Sequence, residues 1–274
     1  MQHGFLLPSV ASNHPVCKPY RVFTMIEAKE YDEYFVPALF EPWARDLIKR
    51  AQVWKGDRVV DLACGTGIVA CRIAGMGAQV IGVDSSADQL EQAKVRAHEE
   101  AVPVTWLMRD FTATTLKPAS ADLVTCQQGL QYATDRAALV REARRLLASG
   151  GRAVFSCWAE LARQDGFREL EAIATKYFGP GDGAASSMTE AEMRALFAPC
   201  FIAVQIETAS RLVRFPDPEH YARSMLTARA ADRGGAMTDE AVTEALAAIA
   251  RYVVDGKLEL QSAAIVAVGR VSAK

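Results

Sequence analysis

The chain has 274 residues, 50% of them hydrophobic, and its 31 basic and 33 acidic side chains give a net charge of −2. This composition allows a sizeable core, and the near-neutral charge gives no electrostatic basis for binding nucleic acid. No apolar run approaches the ~20 residues of a membrane-spanning helix, so no membrane association is expected. The six cysteines form no C-x-x-C pair, and we therefore expect reduced thiols, no metal site and a cytoplasmic location.

The amino-terminal part of the chain divides into two expected segments. Residues 1–24 contain three prolines, few charges and no apolar periodicity, and they lack the basic start and the long apolar run of a signal peptide. We expect a loose extension there, because such a segment buries too little surface to offset its ordering entropy. Residues 25–52 carry apolar residues at helical spacing and are predicted to form a helical cap with breaks at Pro37 and Pro42.

Strands and helices alternate through residues 53–158, the predicted core of the protein. Five apolar strands are predicted, and the first four end at or beside Asp61, Asp84, Asp110 and Gln127. Strands that alternate with helices of this length indicate βαβ units, and right-handed crossovers place helices on both faces of a parallel sheet. The fold class is therefore α/β, with a doubly wound, mostly parallel sheet.

The pattern changes in residues 159–274, which we expect to complete the core. A helical stretch, a short capped helix and two strands are followed by a mostly helical insertion at about residues 215–258 and by a last strand. The insertion is predicted to act as a lid over a small molecule. His220 lies in it and is a candidate catalytic residue.

The stretch "VVDLACGTGIVA", residues 59–70, carries the most specific motif. Its G-x-G-x-x-A spacing, which includes Gly65 and Gly67, satisfies the dinucleotide fingerprint. Asp61 precedes the first glycine by four residues, and its charge would repel the pyrophosphate of NAD. S-adenosylmethionine has no phosphate and carries a sulfonium and an ammonium group, which an acid at this position would attract. The motif therefore favours S-adenosylmethionine over NAD.

Two further strand ends fit the same ligand. Asp84, about twenty residues downstream, can accept hydrogen bonds from ribose hydroxyls in either cofactor. Asp110 can accept a hydrogen bond from an adenine amino group, and Phe111 can pack on the ring; the alternative for Asp110 is a helix or turn cap.

The chain resembles the class I S-adenosylmethionine-dependent methyltransferases of the type 11 group, which includes enzymes of ubiquinone and menaquinone biosynthesis. The resemblance rests on "VVDLACGTG", "VIGVDSSADQL", "MRDF", "ADLVTCQQGLQYATDRAALVREARRLLASGG" and "FSCW", with a weaker match in "YDEYFVPALFEPWA". It implies a seven-stranded Rossmann-like sheet with an antiparallel last strand. It also implies cofactor contacts from Tyr34, Asp61, Ala63, Cys64, Gly65, Thr66, Gly67, Asp84, Ser85, Gln89, Asp110, Phe111, Gln127 and Gln128.

The expected reaction is methyl transfer to a small-molecule acceptor through oxygen, nitrogen or carbon, with S-adenosylhomocysteine as the product. The leaving group is neutral, so alignment and water exclusion matter most, and a general base is needed only for a protonated nucleophile. Tyr34 and His220 are the candidates for catalysis. "CQQG" after the fourth strand lacks the two prolines of methyltransferases that modify base amines, which argues against nucleic acid. The alternatives are an NAD-dependent oxidoreductase and a non-catalytic protein that binds S-adenosylmethionine for regulation.

Overall fold

The computed structural model describes residues 22–181 and 187–273, which fold around one mixed sheet. The strands are β1 Arg58–Leu62, β2 Gln79–Asp84, β3 Val104–Met108, β4 Ala121–Gln127, β5 Leu147–Trp158, β6 Ile202–Phe215, β7 Val253–Val254 and β8 Lys257–Arg270. Their order in the sheet is β3-β2-β1-β4-β5-β8-β6, and the short strand β7 pairs with β8. Strands β1 to β5 pair in parallel, whereas β8 runs antiparallel to both of its long neighbours. The mostly parallel sheet with an antiparallel last strand is confirmed, and β7 is an addition to the seven expected strands.

Helices cover both faces of this sheet. They are α1 Ala28–Glu30, α2 Glu41–Ala51, α3 Ile68–Gly75, α4 Ala87–Glu99, α5 Arg136–Leu146, α6 Phe167–Phe178, α7 Glu190–Phe197, α8 Pro218–Asp232 and α9 Asp239–Ile249. Within the described part of the chain, none of them combines the length and the apolar character needed to cross a bilayer.

The central strands are apolar throughout because each face contributes to a different core. Val59 and Leu123 belong to the same apolar cluster as side chains of α2, α3 and α8, whereas their neighbours Val60 and Val124 belong to a second cluster with side chains of α5 and α7. Successive side chains of a strand point to opposite faces, so a strand that is covered on both faces is apolar at consecutive positions and does not alternate with polar residues. This burial fixes where each strand ends relative to its neighbours in the sheet, and it thereby positions the residues that follow the strands.

The expected cap is one unbroken helical segment. After α1, residues Tyr31–Phe40 form a π-helix that passes directly into α2. The backbone N–H of Glu41 donates to the carbonyl of Val36, five residues earlier. Pro37 has no N–H to donate and crowds the preceding turn, and the wider π geometry accommodates it. The predicted breaks at Pro37 and Pro42 are therefore wrong, since Pro42 lies in the first turn of α2, where proline is tolerated.

Phe23 changes the expected boundary of the extension. Most of residues 1–24 lie outside the described part of the chain, but Phe23 is 5% exposed and belongs to the core. Its ring makes edge contacts with Phe35, Phe40 and Phe167, at centroid distances of 5.6, 5.3 and 6.3 Å. The loose character expected up to residue 24 therefore does not hold for Phe23.

The segment between β6 and β8 carries α8 and α9 and packs against the cap. Phe215, the last residue of β6, contacts Phe35 of the cap at 5.9 Å between ring centroids. Tyr221 of α8 contacts Phe167 of α6 at 5.9 Å. The helices predicted near residues 215–258 thus lie beside the cap, and their role as a lid stays a prediction.

Candidate functional site

A cavity of about 410 Å³ opens at the carboxyl ends of β1, β2 and β4. A larger groove of about 760 Å³ follows the first residues of β1, β2 and β3 at the opposite end of the strands. Ligands of open α/β sheets bind beyond the carboxyl ends of the strands, so the smaller cavity is the candidate site. Its lining consists of Phe23, Met25, Tyr31, Phe40, Ala63, Gly65, Asp84, Ser85, Ser86, Gln89, Phe111, Gln127, Gln128, Gly129 and Tyr132.

The turn after β1 brings backbone to the cavity wall. Gly65 has a φ of +55°, and its N–H donates to Oδ2 of Asp84 over 2.8 Å. Gly67 has a φ of +83° and directly precedes α3, and a Cβ built there would lie 2.6 Å from the Trp106 ring. Both glycines thus occupy a backbone conformation that side chains disfavour, and Gly67 is also required by close packing.

Asp84 closes this turn and faces the cavity. Its two carboxylate oxygens accept backbone N–H groups, from Gly65 at 2.8 Å and from Ser86 at 2.9 Å. Burial raises the pKa of Asp84, and these N–H groups oppose that rise. A carboxylate offers about four acceptor positions, so Asp84 retains capacity for hydroxyl donors from a ligand.

Asp61 lies directly behind the lining. It is 1% exposed, its Oδ1 accepts from the Thr125 hydroxyl over 2.7 Å, and its Oδ2 has no hydrogen-bond partner among the described residues. Burial raises the pKa of Asp61 to about 7, and the negative charge of Asp84 adds to the rise. The floor of the site therefore holds two carboxyl groups in a region of low solvation.

The end of β4 contributes two glutamines with unsatisfied groups. Gln127 Nε2 donates to the carbonyl of Phe40 in the cap over 2.9 Å, while its Oε1 lacks a partner among the described residues. Gln128 is 3% exposed and has a φ of +44°. Neither Nε2 nor Oε1 of its side chain has a hydrogen-bond partner among the described residues. Gln89 Oε1 is similarly unpaired. Buried polar atoms without partners cost about 1–3 kcal/mol each, so their clustering here indicates that water or a polar ligand satisfies them.

The upper wall is aromatic. Tyr31 and Phe40 of the cap lie 4.8 Å apart between ring centroids, and Phe111 and Tyr132 join them in the lining. Burial raises the pKa of Tyr31 well above its usual value, and the nearby Tyr132 and Asp84 add to this rise. Tyr31 is therefore neutral. Among the described residues, the lining contains one acid, Asp84, and three glutamines, but no Lys, Arg or His.

Most of the residues predicted for the site come together here. The cavity is lined by Ala63, Gly65, Asp84, Ser85, Gln89, Phe111, Gln127 and Gln128. Four further predicted residues of β1 and the glycine turn are buried and do not line the cavity: Asp61, Cys64, Thr66 and Gly67. Six further lining residues are not among those predicted from the sequence: Phe23, Met25, Phe40, Ser86, Gly129 and Tyr132.

Tyr34 and His220 are not brought to this cavity. The Tyr34 hydroxyl donates to the backbone carbonyl of Asp217, just before α8, and its ring lies 4.1 Å from the His220 ring. His220 Nε2 lies 3.1 Å from Oε1 of Glu30. Three residues are less than one turn of the wide π-helix, so Tyr31 and Tyr34 leave it on different sides. Tyr34 and His220 join the cap to α8 instead of lining the predicted catalytic site.

Asp110 does not line the cavity, and its predicted contact with adenine stays a prediction. It is exposed, and its Oδ1 accepts both the backbone N–H and the hydroxyl of Thr112 at 2.7 Å. This is the turn-capping arrangement that acids adopt after strands. Phe111, the next residue, reaches the cavity, whereas Asp110 does not line it.

Comparison with known proteins agrees with this fold. Residues 60–155 match the family model of the type 11 group described as "Methyltransferase domain". Over 109 residues the chain is 33% identical to the ubiquinone biosynthesis O-methyltransferase of Proteus mirabilis, covering 39% of this chain and 44% of that protein. Over 111 residues it is 34% identical to that of Pectobacterium carotovorum, with 40% and 46% covered. The chain thus spans less than half the length of the curated relatives it matches.

Solved structures extend the similarity to the whole fold. The YcgJ protein from Bacillus subtilis matches with a TM-score of 0.60 at 17% identity, over 84% of this chain and 98% of that one. A putative methyltransferase from Bacillus halodurans gives 0.61 at 17% identity over the same shares. The fold is therefore the Rossmann-like methyltransferase fold. Residues 60–155 match a methyltransferase domain, and the resemblance to the type 11 group of methyltransferases is confirmed over that part of the chain.

Proposed function

We propose that the protein transfers the methyl group of S-adenosylmethionine to a small-molecule acceptor. One observation carries the proposal, namely that the cavity has an acidic floor and, in the described chain, no cationic side chain in its lining. Asp61 and Asp84 suit a ligand with a sulfonium and an ammonium group. They disfavour the pyrophosphate of NAD, which would need a compensating cation.

The residues present fit this cofactor. Asp84 would accept hydrogen bonds from the ribose hydroxyls, Phe111 would pack against the adenine, and the backbone of Ala63 and Gly65 would hold the methionine part. Gln89 and Gln128 supply unsatisfied polar atoms beside the same space. These assignments combine the strand-end positions with the hydrogen-bonding capacity that each group leaves open.

When bound, S-adenosylmethionine supplies an electrophilic methyl group on a neutral leaving group. The side chains of this chain would then have two tasks, to hold the acceptor in line and to exclude water. Tyr31, Phe40 and Phe23 cover the cavity with apolar surface, and Gln127 ties that cover to the end of β4. Neither Tyr34 nor His220 is included as a catalytic group in this proposal.

The acceptor is proposed as a small molecule, and the names of the relatives support this class. Two curated relatives are named ubiquinone biosynthesis O-methyltransferase. A phosphoethanolamine N-methyltransferase of Haemonchus contortus, solved with S-adenosylhomocysteine, shares the fold with a TM-score of 0.55 at 19% identity, over 85% of this chain and 53% of that one. Oxygen and nitrogen acceptors are both represented. A cytoplasmic location and the lack of a nucleic-acid substrate stay predictions from composition.

Calorimetry with S-adenosylmethionine, S-adenosylhomocysteine and NAD tests the cofactor. We expect binding of the first two, and tighter binding of NAD would overturn the proposal. Transfer of labelled methyl to a panel of phenols and amines tests the chemistry, because a regulatory binding protein would bind without turnover. The Asp84→Ala variant serves as the control for background transfer in that assay.

A further inference from the structure

Arg96 on α4 makes three separate contacts from one nearly buried side chain, which is 13% exposed. Its Nε donates to the backbone carbonyl of Thr66 over 3.1 Å. Its two terminal nitrogens donate to Asp32 over 2.6 Å and to Glu100 over 3.3 Å. A planar guanidinium with donors on several sides can bridge groups that a lysine could not join simultaneously.

The partners of Arg96 belong to different walls of the cavity. Thr66 lies between the two glycines of the turn after β1, and Asp32 directly follows Tyr31 in the π-helix. The helix that carries Arg96 begins two residues before Gln89, which lines the cavity. One side chain outside the lining therefore connects the glycine turn, α4 and the cap.

A second contact holds the other end of the π-helix. Glu41 directly follows Phe40, is 9% exposed, and accepts from Arg72 of α3, with both of its oxygens at 3.1 Å. Arg72 also lies 3.6 Å from Glu100, the residue that Arg96 contacts. The π-helix is thus held near its start and at its end by a continuous series of ion pairs with α3 and α4.

We propose that Arg96 is a positioning residue that sets the cap over the cofactor cavity by joining Asp32 to the glycine turn. Exposed ion pairs contribute little to stability, but the side chains of Arg96 and Asp32 are largely buried and their hydrogen bond is charge-assisted. Removing Arg96 leaves Asp32 without its ion-pair partner and the Thr66 carbonyl without its side-chain donor. Tyr31 and Phe40 would then be held over the cavity less firmly.

Two measurements on the full chain test this role, with Arg96→Met and with Asp32→Asn. Hydrogen exchange in the unliganded protein measures the local stability of the cap. We expect roughly tenfold faster exchange in residues 31–40, with unchanged exchange in β1 and β4. Calorimetry with S-adenosylhomocysteine should show about tenfold weaker binding. The double variant should show no faster exchange and no weaker binding than Arg96→Met alone, because both changes remove the same contact.

Lys94→Met is the matched control, since Lys94 lies on the same helix and its contact with Glu91 is solvent-exposed. It should leave cap exchange and affinity within about twofold. If Arg96→Met fails to fold, Arg96→Lys keeps the charge with fewer donors and should show an intermediate effect. Unchanged cap exchange, equal acceleration in the strands, or additive effects in the double variant would overturn the proposal. The calorimetric part rests on the proposed function, whereas hydrogen exchange does not, so a parent protein that fails to bind S-adenosylhomocysteine would contradict the function alone.

Discussion

Substitution of Asp61 tests directly whether a buried carboxyl group lies at the candidate site. Asp61 lies in β1 with 1% exposure, and its pKa is raised from the ordinary value of 3.8 to about 7, chiefly by burial. We predict that Asp61→Asn changes how the stability of the protein depends on pH. The asparagine oxygen can still accept the Thr125 hydroxyl, so the change removes the titration with little effect on shape.

The direction of this pH dependence follows from the pKa of Asp61 in the unfolded chain and in the folded chain. Between about pH 4 and pH 7 the unfolded chain has lost the Asp61 proton while the folded chain keeps it. The stability contributed by Asp61 is therefore complete below the unfolded pKa and is lost as pH rises through 7. A pKa that differs by one between the folded and unfolded chain corresponds to about 1.4 kcal/mol, so the parent should lose about 3 kcal/mol relative to Asp61→Asn between about pH 5 and about pH 8.

Urea unfolding of both proteins across this pH range measures the effect. Taking the difference between the two free energies of unfolding cancels the titration of all other groups. Asp122→Asn is the control, since its ion pair with Arg58 lowers the pKa of Asp122, and the difference for that variant should stay flat above about pH 5. A flat difference for Asp61→Asn as well would refute the view that a buried carboxyl lies under the site.

Three further outcomes follow from the structure. Asp84→Ala should weaken S-adenosylmethionine binding by about 1.5–3 kcal/mol, roughly ten- to a hundredfold by calorimetry, because charge-assisted hydrogen bonds are lost. Unchanged affinity in a folded variant would exclude the ribose assignment. Phe23→Ala should lower the free energy of unfolding by about 3–5 kcal/mol in urea, and a chain that starts at Met25 should be destabilised as well. Stability equal to the parent would show that the Phe23 packing is not maintained in solution. His220→Ala should change kcat by less than about threefold, since its contact with Glu30 is half-exposed and worth about 0–1 kcal/mol. A loss beyond roughly tenfold would return His220 to the reaction.

Residues at strand ends can be placed from the sequence because two physical constraints fix them. Strands buried on both faces are recognisable as apolar runs, and a parallel sheet brings their carboxyl ends to one edge. Asp84 and Gln127 are therefore expected at a common site, and both line the cavity. Asp61 follows the same rule and lies directly behind the lining.

The helical cap cannot be placed in the same way. Its side-chain directions depend on the π geometry around Pro37, and a helix of ordinary pitch gives the wrong relation between Tyr31 and Tyr34. Asp110 shows a different limit, because a carboxylate after a strand can cap its own turn through Thr112 as readily as it can meet a ligand. Local hydrogen bonding decides such cases.

The floor and the cap act on a ligand by different physical means. The raised pKa of Asp61 shows that its negative charge is disfavoured in the unliganded site, so a cation placed nearby relieves that cost and binds preferentially. The cap is held through Asp32 and Glu41 by contacts that face α3 and α4 and do not involve a ligand. Charge selection therefore belongs to the strand ends, while exclusion of water belongs to the aromatic cover. Changes at Asp61 should consequently alter which ligand binds, and changes at Arg96 should alter how tightly any ligand is held.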